Sequence, residues 1–174
     1  LIAIYHRFTL SRNKFLPGVI LNAPQVNLIK AEHYLRSNDL AGAKMAYETA
    51  ITQSVEYYND ILRVSDAIGI PAPSAATTSQ IARYLAADGV NWDKATTNAE
   101  RLERIATQKW LHYSILQSYE SWAEVRKLDL PSFQFWTDNA SIQTLPPVRW
   151  PYPSNEMTYN AANYATVRDK DKLT

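Results

Sequence analysis

The sequence predicts a mainly α-helical fold, with one tetratricopeptide-like helical hairpin, further helices and an irregular, loop-rich region. Three observations predict it. Between residues 40 and 58 the apolar and small residues recur at steps of three and four, the period of one helix face. Helix-start signals stand at Asn22, followed by Pro24, and at Asp39. Residues 131–163 then crowd prolines and aromatics together with no helical or strand period.

Residues 1–22 give no clear period. Leu1 to Tyr5 is an apolar opening, and Pro17-Gly18 is a turn signal. A helix is expected from Asn22, with Val26, Ile29, Ala31, His33 and Leu35 as its apolar positions, ending near Ser37-Asn38. Asp39 caps a second helix to about Asn59, carrying Leu40, Ala43, Tyr47, Ala50, Ile51, Ser54 and Tyr58 on one face. Residues 23–58 therefore read as a hairpin. Its Ala43, Tyr47 and Ala50 have the small–aromatic–small spacing of a tetratricopeptide helix, which lets two helices approach closely.

Ile68 to Ala76 is a proline-containing loop. Thr77, Thr78 or Ser79 caps a short helix that Asp88-Gly89 stops. A long helix is expected over about 95–116, with Leu102, Ile105, Ala106, Lys109, Trp110, Tyr113 and Leu116 along one side. A further helix runs from Ser118 to about Lys127 and ends at Leu130-Pro131. Asn160 to Val167 can form a last short helical turn.

Composition narrows the function. Eighteen basic residues against seventeen acidic ones leave a net charge of +1. Phosphate binding wants a concentrated basic face, so no nucleic-acid partner is expected. The absence of cysteine excludes thiolate chemistry and Cys-ligated metal within this stretch. No apolar run approaches the ~20 residues of a membrane-spanning helix. There is no glycine-rich phosphate loop and no paired-His zinc motif, so neither catalytic residues, nor a metal, nor a cofactor is expected. The histidines, His6, His33 and His112, are far apart in sequence. Glu100 with Glu103, and Glu120 with Glu124, sit among Arg101, Arg104 and Arg126 and read as solvated helix pairing.

Aromatics are the salient resource, with eleven tyrosines and five tryptophans. Trp110 and Trp122 fall on expected helices and read as core. Trp92 and Trp136 fall in loops, where a ring can stack on a sugar or peptide or can coat the core; they are the candidate ligand contacts. Arg149, Tyr152 and Glu156, in the proline-held stretch 145–163, read as a structural clamp, because each X-Pro step keeps the chain extended and in need of anchors.

That stretch, LPPVRWPYPSNEMTYNAAN, resembles a signature near the C-terminus of the SusD/RagB family, the nutrient-binding outer-membrane lipoproteins of Bacteroidetes. Pro147, Arg149, Tyr152, Pro153, Glu156, Asn160 and Asn163 are the matching residues. Further matches follow in order. Ala23 to Glu32 resembles an "A-E…A-E" helix, and Ala50 to Tyr58 a "G-I-x-x-S" helix. Val90-Asn91-Trp92 resembles the connector before a "Q-K-W" helix, here Gln108-Lys109-Trp110. Glu120 to Lys127 resembles "E-x-W-x-x-x-R-R". Gln25, Ala50, Lys127 and Leu130-Pro131 depart from the usual residues.

The resemblance implies a mainly α fold of tetratricopeptide-like helical hairpins packed with an irregular, loop-rich region, with residues 1–174 a C-terminal fragment of a single larger domain. It implies attachment to the outer membrane at the cell surface through a lipidated N-terminal Cys absent from this sequence. It also implies a role without catalysis, as lid of a SusC-like TonB-dependent barrel holding an oligosaccharide or peptide. A helical-repeat scaffold of the cell envelope with no small ligand is the alternative, and a hydrolase whose catalytic half lies outside this sequence is a third reading.

Overall fold

The computed structural model describes residues 13–65, 74–114, 116–133 and 151–170. Among these residues every regular element is helical. The helices are α1 (Ala23–Arg36), α2 (Leu40–Arg63), α3 (Thr78–Leu85), α4 (Asn98–Tyr113), α5 (Ser118–Leu128), α6 (Glu156–Tyr159) and α7 (Ala161–Val167). They divide between two compact units, Leu1–Pro131 and Ser132–Thr174. The apolar opening at 1–5 lies outside the described residues.

In the first unit α1 and α2 form the expected hairpin. Asn22 Oδ1 accepts from the Gln25 amide, with Pro24 in the first turn, and Asp39 Oδ1 accepts from the Gly42 amide. The turn between them is tight because Asn38 takes φ 60°, a left-handed position that Asn tolerates well. Asp39 N–H then returns to Tyr34 O at 2.8 Å. The chain leaves the turn antiparallel, and Asn27 Nδ2 reaches Gln53 Oε1 at 2.8 Å across the pair.

Ala43, Tyr47 and Ala50 are each 0% exposed, so the small–aromatic–small row lies at the helix contact. The helix continues to Arg63, and its buried face extends through Tyr58, Ile61 and Leu62. Leu40, placed on that face by spacing, is instead exposed. α1 also departs from expectation. Its buried row is Gln25, Leu28, Ala31, Glu32 and Leu35, while Val26, Ile29 and His33 face outward. Polar residues occupy inward positions here, so an apolar count picks the wrong face.

α4 begins at Asn98 because Thr97 and Glu100 form a reciprocal capping box, a T-x-x-E signal in the sequence that places the start after residue 95. Ser114, at φ 41°, ends it at Tyr113. Thr77 is the residue that caps α3, in a second capping box with Gln80. α5 ends on left-handed Asp129. The core joins Ala31 and Leu35 of α1, Ala43, Ala46, Tyr47 and Ile51 of α2, Ile105 of α4, and Val90 and Trp92 of the connector. Trp110 and Trp122 are 39% and 38% exposed, so the reading of both as core is corrected. Among the described residues no helix is long and apolar enough to cross a membrane.

In the second unit α6 and α7 are short and meet at Asn160, which closes α6 and opens α7.

Candidate functional site

Of the two candidate ligand-contacting tryptophans, Trp136 lies outside the described residues, and Trp92 lies in the core. Trp92 opens a 3-10 turn capped by Asn91. Its side is covered by Tyr47, with ring centroids 5.3 Å apart, and the Arg101 guanidinium stands 5.9 Å from its ring. At 4% exposure it offers no open face to a ligand. The connector is tied from below as well, since Tyr47 Oη donates to Val90 O at 2.8 Å. Burial pushes the Tyr47 hydroxyl well above its ordinary pKa, so it remains a donor. Trp92 misled the sequence reading because a loop position says nothing of which way its ring turns.

Two polar clusters sit inside the first unit. In one, Lys109 of α4 is 1% exposed, and its Nζ lies 2.5 Å from Glu32 Oε2 on α1 and 2.8 Å from Glu124 Oε2 on α5. Lys127 Nζ and Arg36 Nη2 each approach Glu32 Oε1 at 2.9 Å. Burial alone would raise the Glu32 carboxyl. The hydrogen bonds from Lys109, Lys127 and Arg36 outweigh it and hold the group at about 2. Three helices are thus cross-linked through charge. Glu124, read from sequence as one of a solvated pair, is a member of this cluster.

In the other, His112 is 2% exposed. Asn22 Oδ1, already accepting from the Gln25 amide, takes the Nε2–H of the ring at 2.9 Å. This leaves Nδ1 to accept from Ser54 Oγ at 2.8 Å. Burial lowers the imidazole to about 4, so it is neutral at pH 7. Gln117 completes the set, donating to Gln25 Oε1 at 3.0 Å. A serine and a neutral histidine in contact are the parts of a nucleophile and base. Here the ring is sealed within the helix pair, and its job is to satisfy the α1 cap.

The second unit holds a pocket of about 220 Å³ lined by Tyr152, Glu156, Asn160, Asn163 and Tyr164, with Thr166 and Val167. Its polar groups are ordered in a relay. Asn160 Nδ2 donates to Glu156 Oε2 at 2.9 Å, and Asn163 Nδ2 donates to Asn160 Oδ1 at 2.7 Å. Tyr152 and Tyr164 meet edge to face, centroids 6.5 Å apart. Tyr152 is 46% exposed, so its ring is not sealed as a buried anchor would be. Of the expected clamp, Arg149 lies outside the described residues, and Tyr152 and Glu156 stand at this pocket.

A family model described as SusD-like, starch-binding and associating with the outer membrane matches residues 3–153. The chain belongs to the SusD-like family. Three solved structures share the fold. A SusD-like protein of Bacteroidetes superposes with a TM-score of 0.65 at 24% identity, over 88% of this chain and 28% of its own. A Bacteroides vulgatus protein, named for a proposed role in nutrient binding at the outer membrane, gives 0.61 at 27% identity over 90% and 33%. A SusD homologue of Bacteroides fragilis gives 0.63 at 24% over 90% and 34%. The chain therefore spans about a third of the length of the structures it matches. Among curated proteins, none matches it.

The SusD-like motifs land in a physical pattern. Glu32 closes the "A-E" helix, Lys109 is the centre of "Q-K-W", and Glu124 and Lys127 lie in the "E-x-W" stretch; all four meet in the buried charge cluster. The later signature supplies Tyr152, Glu156, Asn160 and Asn163 to the pocket. The first set holds helices together, and the second lines a surface open to solutes.

Proposed function

We propose that this chain is part of a nutrient-binding subunit that holds a glycan or peptide at the cell surface, without turning it over, as the lid of a SusC-like TonB-dependent barrel. The family match over residues 3–153 carries the reading. The proposal includes attachment to the outer membrane through a lipidated cysteine outside this sequence. The site chemistry supports binding over catalysis. The imidazole of the Ser54–His112 pair is 2% exposed and holds the α1 cap, whereas the signature pocket presents a carboxylate, two amides and two tyrosines in an open surface. Such groups recognise hydroxyls and apolar ring faces. Trp136 stays a proposed ligand contact, and Arg149 a proposed anchor of the extended segment.

The test is affinity isolation of the whole protein from gently solubilised membranes, together with binding and product assays on a panel of glycans and peptides. Expected are a co-purifying large outer-membrane barrel and saturable binding with unchanged ligand. A lone species at every detergent strength would overturn the lid, and would favour a scaffold if no ligand bound. Sustained product release by protein free of contaminating hydrolases would overturn the binding role.

A further inference from the structure

We propose that the pocket of the second unit is a subsite for a single neutral sugar ring, with Glu156 as its hydrogen-bond acceptor. The inference rests on the nutrient-binding reading and names a place for one residue of the ligand.

The argument starts from what the side chains give up. Asn160 is the N-cap of α7, where an Asn side chain ordinarily accepts from the backbone amide two or three residues on. It makes no such bond. Its Oδ1 accepts instead from the Asn163 side chain, and its amide donates to Glu156 Oε2. Both amides are therefore held in one orientation, each with a remaining N–H or carbonyl valence along the pocket wall. Among the described residues Glu156 Oε1 receives no hydrogen bond. A half-exposed carboxylate oxygen beside oriented amides suits the paired hydroxyls of a pyranose, which donate to the one and accept from the other.

Size and apolar lining agree. About 220 Å³ is below the range of drug-sized sites and matches one ring rather than a chain. Tyr152, Tyr164 and Val167 add apolar surface for the ring's C–H face. Charge sets the sign of selectivity. Among the described lining residues Glu156 is the one carboxylate and none is cationic, so an anionic sugar is disfavoured.

The experiment follows the side-chain amide resonances of Asn160 and Asn163 in the full chain, titrated with methyl glucoside and with glucuronate. A ligand of this size should bind with Kd on the order of 1–10 mM. The expected result is saturable shifts of both amides with the glucoside, and binding at least tenfold weaker for glucuronate. Glu156→Gln keeps an acceptor for Asn160 and loses the charge. It should weaken the glucoside about fivefold or more and bring glucuronate close to it. If that variant does not fold, the neutral-against-anionic comparison on the unaltered chain still decides. Unmoved amides at 50-fold the glucoside concentration giving half-saturation elsewhere, or equal affinity for the two sugars, would overturn the subsite. Oligosaccharide binding measured calorimetrically on the whole protein separates the two readings. Binding with unmoved amides removes this pocket and leaves the nutrient role. Amide shifts with no oligosaccharide or peptide bound and no barrel retained keep the pocket and remove the role.

Discussion

Replacing Lys109 with Met tests the charge cluster most directly. The aliphatic stem and its packing are kept, and only the ammonium is lost, from a site 1% exposed. Glu32 and Glu124 then each lose their shortest partner, at 2.5 and 2.8 Å. Removing one member of a buried pair typically costs about 3–5 kcal/mol, because the other charge remains in a poor environment. Glu32 keeps Arg36 and Lys127, and Glu124 is partly exposed, so the lower end applies. The depressed Glu32 carboxyl agrees in sign: Lys109, Lys127 and Arg36 together outweigh its burial and hold it at about 2, so removing Lys109 takes away part of that stabilisation. Denaturant unfolding of Lys109→Met should therefore lose about 3 kcal/mol at pH 7. The double variant Lys109→Met/Glu32→Met should recover part of that loss, since an apolar pair can replace a buried ion pair. A loss under about 1 kcal/mol for the single variant, or strictly additive losses in the pair, would show that the charges do not act together.

Other consequences are open to measurement. The folded-state pKa of His112 is depressed, so the unfolded chain binds the proton first; its contribution is full above pH 6.5 and is lost as pH falls from 6.5 to about 4. The Glu32 contribution is full above 4.5 and is lost between 4.5 and about 2. Acid titration of stability should thus fall in two stages, and His112→Gln should flatten the upper stage alone; an unchanged slope there would contradict the neutral buried ring. Trp92→Ala should cost about 3–5 kcal/mol in thermal or chemical unfolding; near-normal stability with lost glycan binding would restore it as a ligand contact. Ala43→Leu adds volume at a fully buried helix contact and should cost about 1–3 kcal/mol, so an unchanged Tm would count against the hairpin packing. Tyr152→Ala, from a ring 46% exposed, should cost about 1 kcal/mol, well below the loss expected of a sealed aromatic.

The hairpin was legible because caps and a face of period 3.6 are local signals. Asn22, Pro24 and Asp39 announce the starts, and Ala43, Tyr47 and Ala50 mark the contact. The inward face of α1 was not legible in that way. It uses Gln25 and Glu32, whose burial depends on partners 77 to 95 positions away: Lys109, Gln117 and Lys127. His112 stands far from the other histidines in sequence, and its partners are instead a serine of α2 and the cap of α1. A polar residue at a core-facing register, such as Lys109 between Ala106 and Tyr113, was the one available sign that a buried partner existed. Trp92 and Trp110 show the converse limit. One lies in a connector and is sealed, the other lies on a helix and is open, since ring exposure is decided by what packs across it.

The two groups of motif residues carry different inferences. Glu32, Lys109 and the Glu124–Lys127 pair come from three helices and meet around the buried Glu32 carboxylate and Lys109 ammonium, so each constrains the others through fold stability. Lys127 occupies a position where Arg is usual and still reaches Glu32 Oε1 at 2.9 Å. The Lys ammonium also lies 3.6 Å from Glu124 Oε2, as a point charge between the two carboxylates, whereas Arg presents a planar fork that can hydrogen-bond to both. Lys127→Arg should accordingly preserve stability or raise it by about 0.5 kcal/mol, and a loss above 1 kcal/mol would mean that the space around Glu32 is fitted to the smaller head group. The side-chain bonds of Glu156, Asn160 and Asn163 are of another kind. Glu156, Asn160 and Asn163 bond chiefly to one another at an exposed surface, and Asn160 forgoes its cap to do so. Fold stability accounts for the contacts of the first group. For the second group, the proposed sugar subsite supplies a role that the bonds within the cluster do not.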